Sequence, residues 1–215
     1  MKEYHKINGL YKRFTEGPLR GQFKDGRDGN LPEFARDEFL YLFNNYWVGT
    51  EKIDGTNIRM YYNGLSVEIK GRTDKAQIPS FLQEKLDNMI IPFDDVFGDE
   101  EVTLYGEGYG ARIQKGGGNY ISDGVDFILF DVRIGNWWLK RKDVQEIAEK
   151  LCMKTVPVVF KGTLSDAKKL VKDGFQSVIA EKECQAEGLV LTPIGDFLDR
   201  SGKRIITKLK TKDYD

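Results

Sequence analysis

The sequence predicts an α+β fold in which antiparallel sheets are flanked by helices. Three observations carry that expectation. Strand-like runs outnumber helical ones along the 215 residues. Residues 58–72, IRMYYNGLSVEIKGR, read as a hairpin around Asn63-Gly64, a dipeptide suited to a two-residue type I′ turn. The helical patterns stand as isolated segments among strand-like runs, which speaks against a doubly wound parallel sheet.

The elements follow in order. Residues 15–31, TEGPLRGQFKDGRDGNL, are rich in glycine and charge and read as a loop. Residues 37–46, DEFLYLFNNY, are mostly apolar and fit either helix or strand. WVGTEK, 47–52, is a strand ending in a polar cluster. After the hairpin, Pro79-Ser80 precedes a short helix, FLQEKLDNMI. EVTLYGEGYG, 101–110, is a strand followed by a glycine-rich turn, and VDFILFDVRI, 125–134, is a strongly apolar strand before a turn at Gly135-Asn136. In 141–152, Val144, Ile147, Ala148 and Leu151 fall at helical spacing. TVPVVF, 155–160, is a short strand. SDAKKLVKDG, 165–174, is a helix with Ser165 as N-cap and Gly174 just past its end. EGLVLTP, 187–193, and RIITKLK, 204–210, are the last strands.

Composition removes several chemistries. The single histidine, His5, lies near a terminus expected to be mobile. A His-based metal centre or a Ser-His-Asp triad is therefore not expected. Two cysteines, 152 and 184, are too few for a four-Cys zinc site or a secreted disulfide scaffold. The start lacks the apolar core of a signal peptide, and no apolar run approaches the ~18 residues of a membrane span. The expected address is the cytoplasm, with no membrane partner. The net charge of −1 does not advertise nucleic-acid binding. Charge is nonetheless uneven: residues 203–212 hold five basic residues and no acid, and 94–101 hold five acids and no base. A near-zero sum can hide a basic groove.

The chemistry-bearing residues begin in 49–57, GTEKIDGTN, where Lys52, Asp54, Thr56 and Asn57 crowd a segment between two strands. A polar loop is the ordinary reading; a nucleophilic lysine is the sharper one, and it needs a neutral amine, favoured by burial and neighbouring cations. Lys208 and Lys210 stand two apart, so strand alternation puts both on one face, with Thr207 and Leu209 on the other. They either guard a strand edge or face a phosphate chain. Glu107, Asp131 and Glu187 are acids at strand positions. Each by default is a surface carboxylate, but two together can position Mg²⁺ or a ribose hydroxyl. Phe127 and Phe130 are core by default; an aromatic beside a cleft can stack on a purine, worth ~1–3 kcal/mol. Arg72 suits a phosphate because its fork engages two oxygens.

The order of these pieces resembles the covalent nucleotidyltransferase superfamily of ATP-dependent DNA ligases, RNA ligases and mRNA capping guanylyltransferases. Within it, Glu51 to Asn57, Gly106-Glu107 with Gln114, Ala186-Glu187-Gly188 with Val190-Leu191, and Lys208-Leu209-Lys210 resemble the RNA ligase 2 group. The likeness runs from about Trp47 to Lys210, and residues 1–46 match loosely. The resemblance implies the ATP-grasp-like nucleotidyltransferase fold of ligases and capping enzymes, as one adenylyltransferase domain over 1–215. It also implies an enzyme whose Lys52 attacks ATP with Mg²⁺ (or Mn²⁺) present. The resulting lysyl-AMP is passed to a 5′-phosphate RNA end, and a 3′-hydroxyl then displaces AMP.

By the same resemblance Glu187, Lys208 and Lys210 join Lys52 as catalytic groups, the two lysines on the α-phosphate. Glu51, Ile53, Arg72, Glu107 and Phe127 serve ATP binding, with Phe127 on adenine and Glu107 on the ribose. Glu187 and Glu107 serve the metal. Asp54, Thr56, Asn57, Gln114, Phe130 and Asp131 form a second tier. Only five residues follow Lys210, so no oligonucleotide-binding domain is expected there, and a separate nucleic-acid-binding partner could replace it. A DNA ligase, a capping guanylyltransferase or a non-catalytic nucleotide- or RNA-end-binding module remain the alternatives.

Overall fold

The computed structural model describes residues 1–214. Strands run β1 Asn8–Gly9, β2 Trp47–Glu51, β3 Thr56–Tyr62, β4 Val67–Gly71, β5 Val102–Gly110, β6 Val125–Ile134, β7 Trp137–Trp138, β8 Val158–Gly162, β9 Gly188–Pro193 and β10 Thr207–Lys210. Helices run α1 Asp37–Tyr41, α2 Ser80–Asp87, α3 Phe93–Phe97, α4 Gly117–Tyr120, α5 Arg141–Lys150 and α6 Leu164–Asp173. The fold is α+β, as predicted. No helix among the described residues is long and apolar enough to cross a membrane.

The chain divides into two compact units. The first comprises residues 1–5, 53–156 and 179–184; the second comprises, among the described residues, 6–52, 157–178 and 185–214. The first is built on an antiparallel sheet in the order β4-β3-β5-β6-β7. Ile58, Met60 and Tyr62 alternate along β3 and meet Leu104, Phe127, Leu129 and Val132 in its main core. Leu82 and Leu86 of α2, and Val144 and Ala148 of α5, complete it, each pair one helical turn apart. A smaller cluster gathers Ile53, Tyr109, Tyr120, Ile128 and Val156, with Phe130 packed on it.

The second unit carries a sheet in the order β1-β10-β9-β2-β8, antiparallel except that β1 runs parallel to β10. Leu164, Ala167 and Val171 make a stripe on α6 that packs with Trp47, Leu189, Leu191 and Leu209. Thr163 is the N-cap of α6: its side chain accepts from the Asp166 amide, and Asp166 accepts from the Thr163 amide. This capping box displaces the predicted Ser165 cap by two residues, because the buried Leu164 belongs to the first turn. Gly174 follows the helix end as expected.

Other boundaries differ from the sequence reading. The hairpin loop has four residues between the paired Tyr62 and Val67, since Asn63 Oδ1 accepts from the amides of Leu65 and Ser66 at 3.0 and 2.8 Å. Residues 106–110 stay in β5 rather than turning. Bare glycines make room there: a Cβ on Gly106 would lie 2.1 Å from the Phe127 ring. Pro157 has no amide for the ladder, so β8 begins after it and runs on to Gly162. The last strand starts at Thr207 instead of 204. Residues 37–41 choose helix. The N-terminus is packed: Tyr4 donates to Asp131 at 2.8 Å, Tyr105 donates to the Lys2 carbonyl at 3.0 Å, and His5 stacks on Tyr4.

The turn before β10 is organised by Asp199. Its Oδ1 accepts from the Lys203 amide at 2.9 Å and from the Ser201 hydroxyl and amide, and its Oδ2 accepts from Arg36 at 2.8 Å. The Lys203 amide and Ser201 hydroxyl, with Arg36 adding, hold its pKa down to about 2 from 3.8. A depressed carboxylate pKa contributes stability above its unfolded value that is lost as pH falls through the folded one. Asp199→Asn is therefore expected to melt below the wild type at pH 7. The difference should narrow as pH drops from about 4 towards about 2, read by thermal melts across that range.

Candidate functional site

In the second unit the sheet brings three charged groups together. Lys52 follows β2 directly, and its amide donates to the Gly188 carbonyl at 2.9 Å. Glu187 immediately precedes β9, the strand between β2 and β10. Its Oε2 accepts from Lys52 Nζ at 2.6 Å and its Oε1 from Lys210 Nζ at 2.5 Å. Thr207 and Leu209 are fully buried on the other face of β10, while Lys208 and Lys210 are partly exposed. The alternation read from the sequence holds, and β10 is an interior strand with β1 beyond it. The edge-guard reading is therefore set aside.

Side-chain exposures of 20% for Lys52, 13% for Glu187 and 22% for Lys210 make this a partly desolvated group. A partly desolvated ion-pair cluster of this kind is weak evidence for a stabilising role. Glu187 orients the Lys52 amine from one side and holds a second cation beside it.

Glu51 is 1% exposed. Its carboxylate accepts from the Ser177 hydroxyl at 2.5 Å and the Val178 amide at 2.8 Å. Those two residues were invisible in the sequence: they lie some 126 positions away, and no local pattern announces them. They fix the end of β2 and hence the position at which Lys52 emerges.

In the first unit Ile53 is buried in the smaller apolar cluster, and the Asp54 amide donates to the Tyr120 hydroxyl at 3.4 Å. Gly55 permits a close approach: a Cβ there would sit 2.3 Å from the Gly108 carbonyl oxygen and 2.8 Å from Glu107 Cγ. Thr56 pairs with Gly108, and Asn57 pairs with Glu107 across β3 and β5. Gln114 Nε2 donates to the Gly55 carbonyl at 3.0 Å, tying the following loop to this turn. Arg72 is exposed just past β4.

The two phenylalanines separate. Phe127 is 2% exposed in the main core, against Gly106. Phe130 is half-buried, packs on the cluster that contains Ile53, and takes the Tyr4 ring edge-on at 5.0 Å. Asp131 accepts from Tyr4, and Arg141 donates to the Phe130 carbonyl at 3.1 Å.

Among the described residues no three His, Cys, Asp or Glu side chains gather as a metal cage. Magnesium-type ions need only one or two carboxylates when substrate phosphates supply the rest. Each unit offers one such carboxylate. Glu187 stands beside Lys52, and Glu107 pairs with Asn57, whose buried Oδ1 has no hydrogen-bond partner among the described residues. A buried acceptor left unpaired costs about 1–3 kcal/mol, which a hydrated cation or ligand donor would relieve.

The chain has no match among curated protein sequences. Its fold is similar to that of Naegleria gruberi RNA ligase. The structure of that protein with pyrophosphate has a TM-score of 0.60 at 20% identity, covering 83% of this chain and 53% of that one. A mutant with ATP and manganese has a TM-score of 0.60 at 19% identity over 83% and 52%. Another mutant, with AMP and manganese, has a TM-score of 0.60 at 18% identity over 83% and 53%. The chain spans about half the length of these relatives, and at this identity the likeness is one of fold. The model of the RNA ligase family matches residues 45–210, the stretch that carries Lys52, Glu107, Glu187, Lys208 and Lys210. On that match, the chain belongs to the RNA ligase family.

Proposed function

We propose that this chain is an ATP-dependent RNA ligase working through a lysyl-AMP intermediate. The observation that carries the reading is Glu187 joined to both Lys52 and Lys210 at neighbouring strand ends in a chain of the RNA ligase family. Lys52 Nζ, as the neutral amine, attacks the α-phosphorus of ATP; a P–N bond forms, the α–β P–O bond breaks, pyrophosphate leaves, and the nitrogen gives up a proton to solvent. The 5′-phosphate of an RNA then takes the AMP, forming a P–O–P linkage and freeing Lys52. A 3′-hydroxyl attacks that activated phosphate, AMP departs, and a phosphodiester joins the strands.

Each residue has a stated task. Glu187 orients the Lys52 amine, and Lys208 and Lys210 offset charge on the α-phosphate as it builds. Glu51 and Ile53 hold the nucleophile segment in place. Glu107 contacts the ribose, and Arg72 a phosphate. Mg²⁺ or Mn²⁺, met by phosphate oxygens and a carboxylate such as Glu187 or Glu107, would supply charge neutralisation at the phosphates. The relatives' complexes with ATP, AMP, manganese and pyrophosphate support this choice of substrate and ion.

Phe130, rather than Phe127, is the ring we assign to adenine, because Phe127 is enclosed by core side chains. Phe127→Ala is expected to lower stability by about 3–5 kcal/mol without changing the ATP concentration needed for labelling of the folded fraction. Phe130→Ala should raise that concentration roughly five- to a hundred-fold, the loss of one stacking contact. Unfolding curves and ATP titrations of the two variants separate the roles.

The direct test incubates the protein with α-labelled ATP and Mg²⁺, alongside GTP and NAD⁺. A covalent label from ATP alone is expected. An unlabelled protein overturns the reading, and a label from GTP points to a capping enzyme. Sealing assays on nicked RNA and nicked DNA then follow, and DNA-only sealing would reject the RNA assignment.

A further inference from the structure

We infer that an open cationic groove along β1 and β10 seats the phosphodiester backbone of the RNA being joined; this rests on the ligase reading above. The groove has a volume of about 480 Å³ and lies within the second unit. Its cations are Lys6, Lys12, Arg13, Lys208, Lys210 and Lys212. They come from opposite ends of the sequence. The parallel pairing of Asn8 with Thr207 and of Gly9 with Lys208 is what brings them together.

The concentration of charge is the first argument. The whole chain carries a net charge of −1, yet among the described residues Asp213 is the one acid lining this groove; Arg13 engages it at 2.8 Å, and Lys210 is paired with Glu187 at 2.5 Å. Lys12 reaches an acid, Glu33, only at 3.6 Å. Lys6 and Lys212 are exposed and, among the described residues, have no ion-pair partner within 4.0 Å. Gathering like charges this way opposes folding through mutual repulsion and favours capture of a polyanion.

The layout suits a strand of phosphates that continues past the nucleotide phosphate met by Lys208 and Lys210. Lys208 and Lys210 stand about 6.6 Å apart on one face of β10, and Lys212 continues the series in the 3-10 turn of residues 211–213. Lys6, Lys12 and Arg13 come from the neighbouring N-terminal segment. The cations thus come from two paired segments rather than from one. The aromatic lining is not offered to bases, since the Arg13 guanidinium covers the Phe23 ring at 4.0 Å. The groove therefore grips backbone and carries no sequence preference.

The test uses the full chain and a fluorescent, 5′-phosphorylated single-stranded RNA, with anisotropy measured over a salt series. Lys6→Ala combined with Lys212→Ala is expected to weaken binding several-fold for any sequence. The plot of log affinity against log salt should become shallower by about 1.4, two phosphate contacts at about 0.7 each. Lys6→Arg with Lys212→Arg should restore both, and labelling by ATP should be unchanged in all variants, with thermal melts showing them folded. Wild-type affinity and slope in the alanine variant overturn the proposal. So does unchanged RNA binding with a raised ATP requirement, which would assign the groove to the triphosphate. If the wild type takes no label from ATP but the alanine variant still loses RNA binding, the ligase reading fails and the groove stands.

Discussion

Lys52→Ala is expected to carry no covalent AMP under conditions in which the wild type is fully labelled. Alanine offers no nucleophile, so the loss is complete rather than graded. The more informative partner is Lys52→Arg. Arginine keeps the positive charge and can keep the contact with Glu187, which in the wild type is a hydrogen bond of 2.6 Å. It does not become an amine nucleophile at ordinary pH, because a guanidinium does not give up its proton. Lys52→Arg should therefore stay folded and still take no label. A labelled Lys52→Arg protein would place the nucleophile elsewhere and remove the central step of the proposed mechanism. Glu187→Gln sits between these extremes: the amide keeps the shape but loses the charge that holds Lys52 and Lys210. Labelling should fall and persist at a low rate, read by the time course of label incorporation.

Which of these residues could be read beforehand follows from the range of the forces that place them. Lys208 and Lys210 were legible because one face of β10 is buried and a period of two leaves no ambiguity. Residues 141–152 were legible from a stripe of apolar residues at helical spacing, and the end of α6 from such a stripe closed by Gly174. The N-cap was not, because Ser165 and Thr163 are both acceptable caps, and the choice depends on Leu164 entering the core. The hairpin turn was misread because the Asn63 side chain supplies two hydrogen bonds that a two-residue turn does not need. The short helices α3 and α4 have five and four residues, too few to show a period.

The site divides in the same way. Lys52, Glu187 and the lysine pair share a pattern of spacing that survives in the sequence. The choice between Phe127 and Phe130 did not, since Phe127, Ile128 and Leu129 are all buried and β6 shows no alternation there. A register irregularity between Tyr105 and Gly106 in the paired strand shifts the faces further. Ser177 and Val178 reach Glu51 only through the tertiary fold. The sequence pattern thus picked out charged groups that the sheet brings together, but not the groups that hold them.

Gly188→Ala is expected to cost much of the stability, although glycine there would pass as part of a catalytic motif. Its backbone sits at φ +148°, and a Cβ would lie 2.0 Å from the Leu209 carbonyl oxygen and 2.8 Å from Lys210 Cα. Those are backbone atoms of the adjacent strand, paired with Gly188 through Lys210. No side-chain rotation can relieve the clash, so β9 and β10 must separate. Strain at such a φ and overpacking each cost about 1–3 kcal/mol, and here they act together. A loss of about 3 kcal/mol or more is expected from denaturant unfolding, a large share of a typical total of about 5–15 kcal/mol. Gly118→Ala provides the contrast, because nothing lies within 4 Å of its Cβ and its φ is ordinary; its midpoint should stay close to the wild type. The two results together decide whether the glycine after Glu187 is required by packing. If Gly188→Ala unfolds like the wild type yet takes no label, the requirement lies in the chemistry. If it unfolds early and the folded fraction labels normally, the strand contact explains why Glu187 must be followed by glycine for Lys52 and Lys210 to meet its carboxylate.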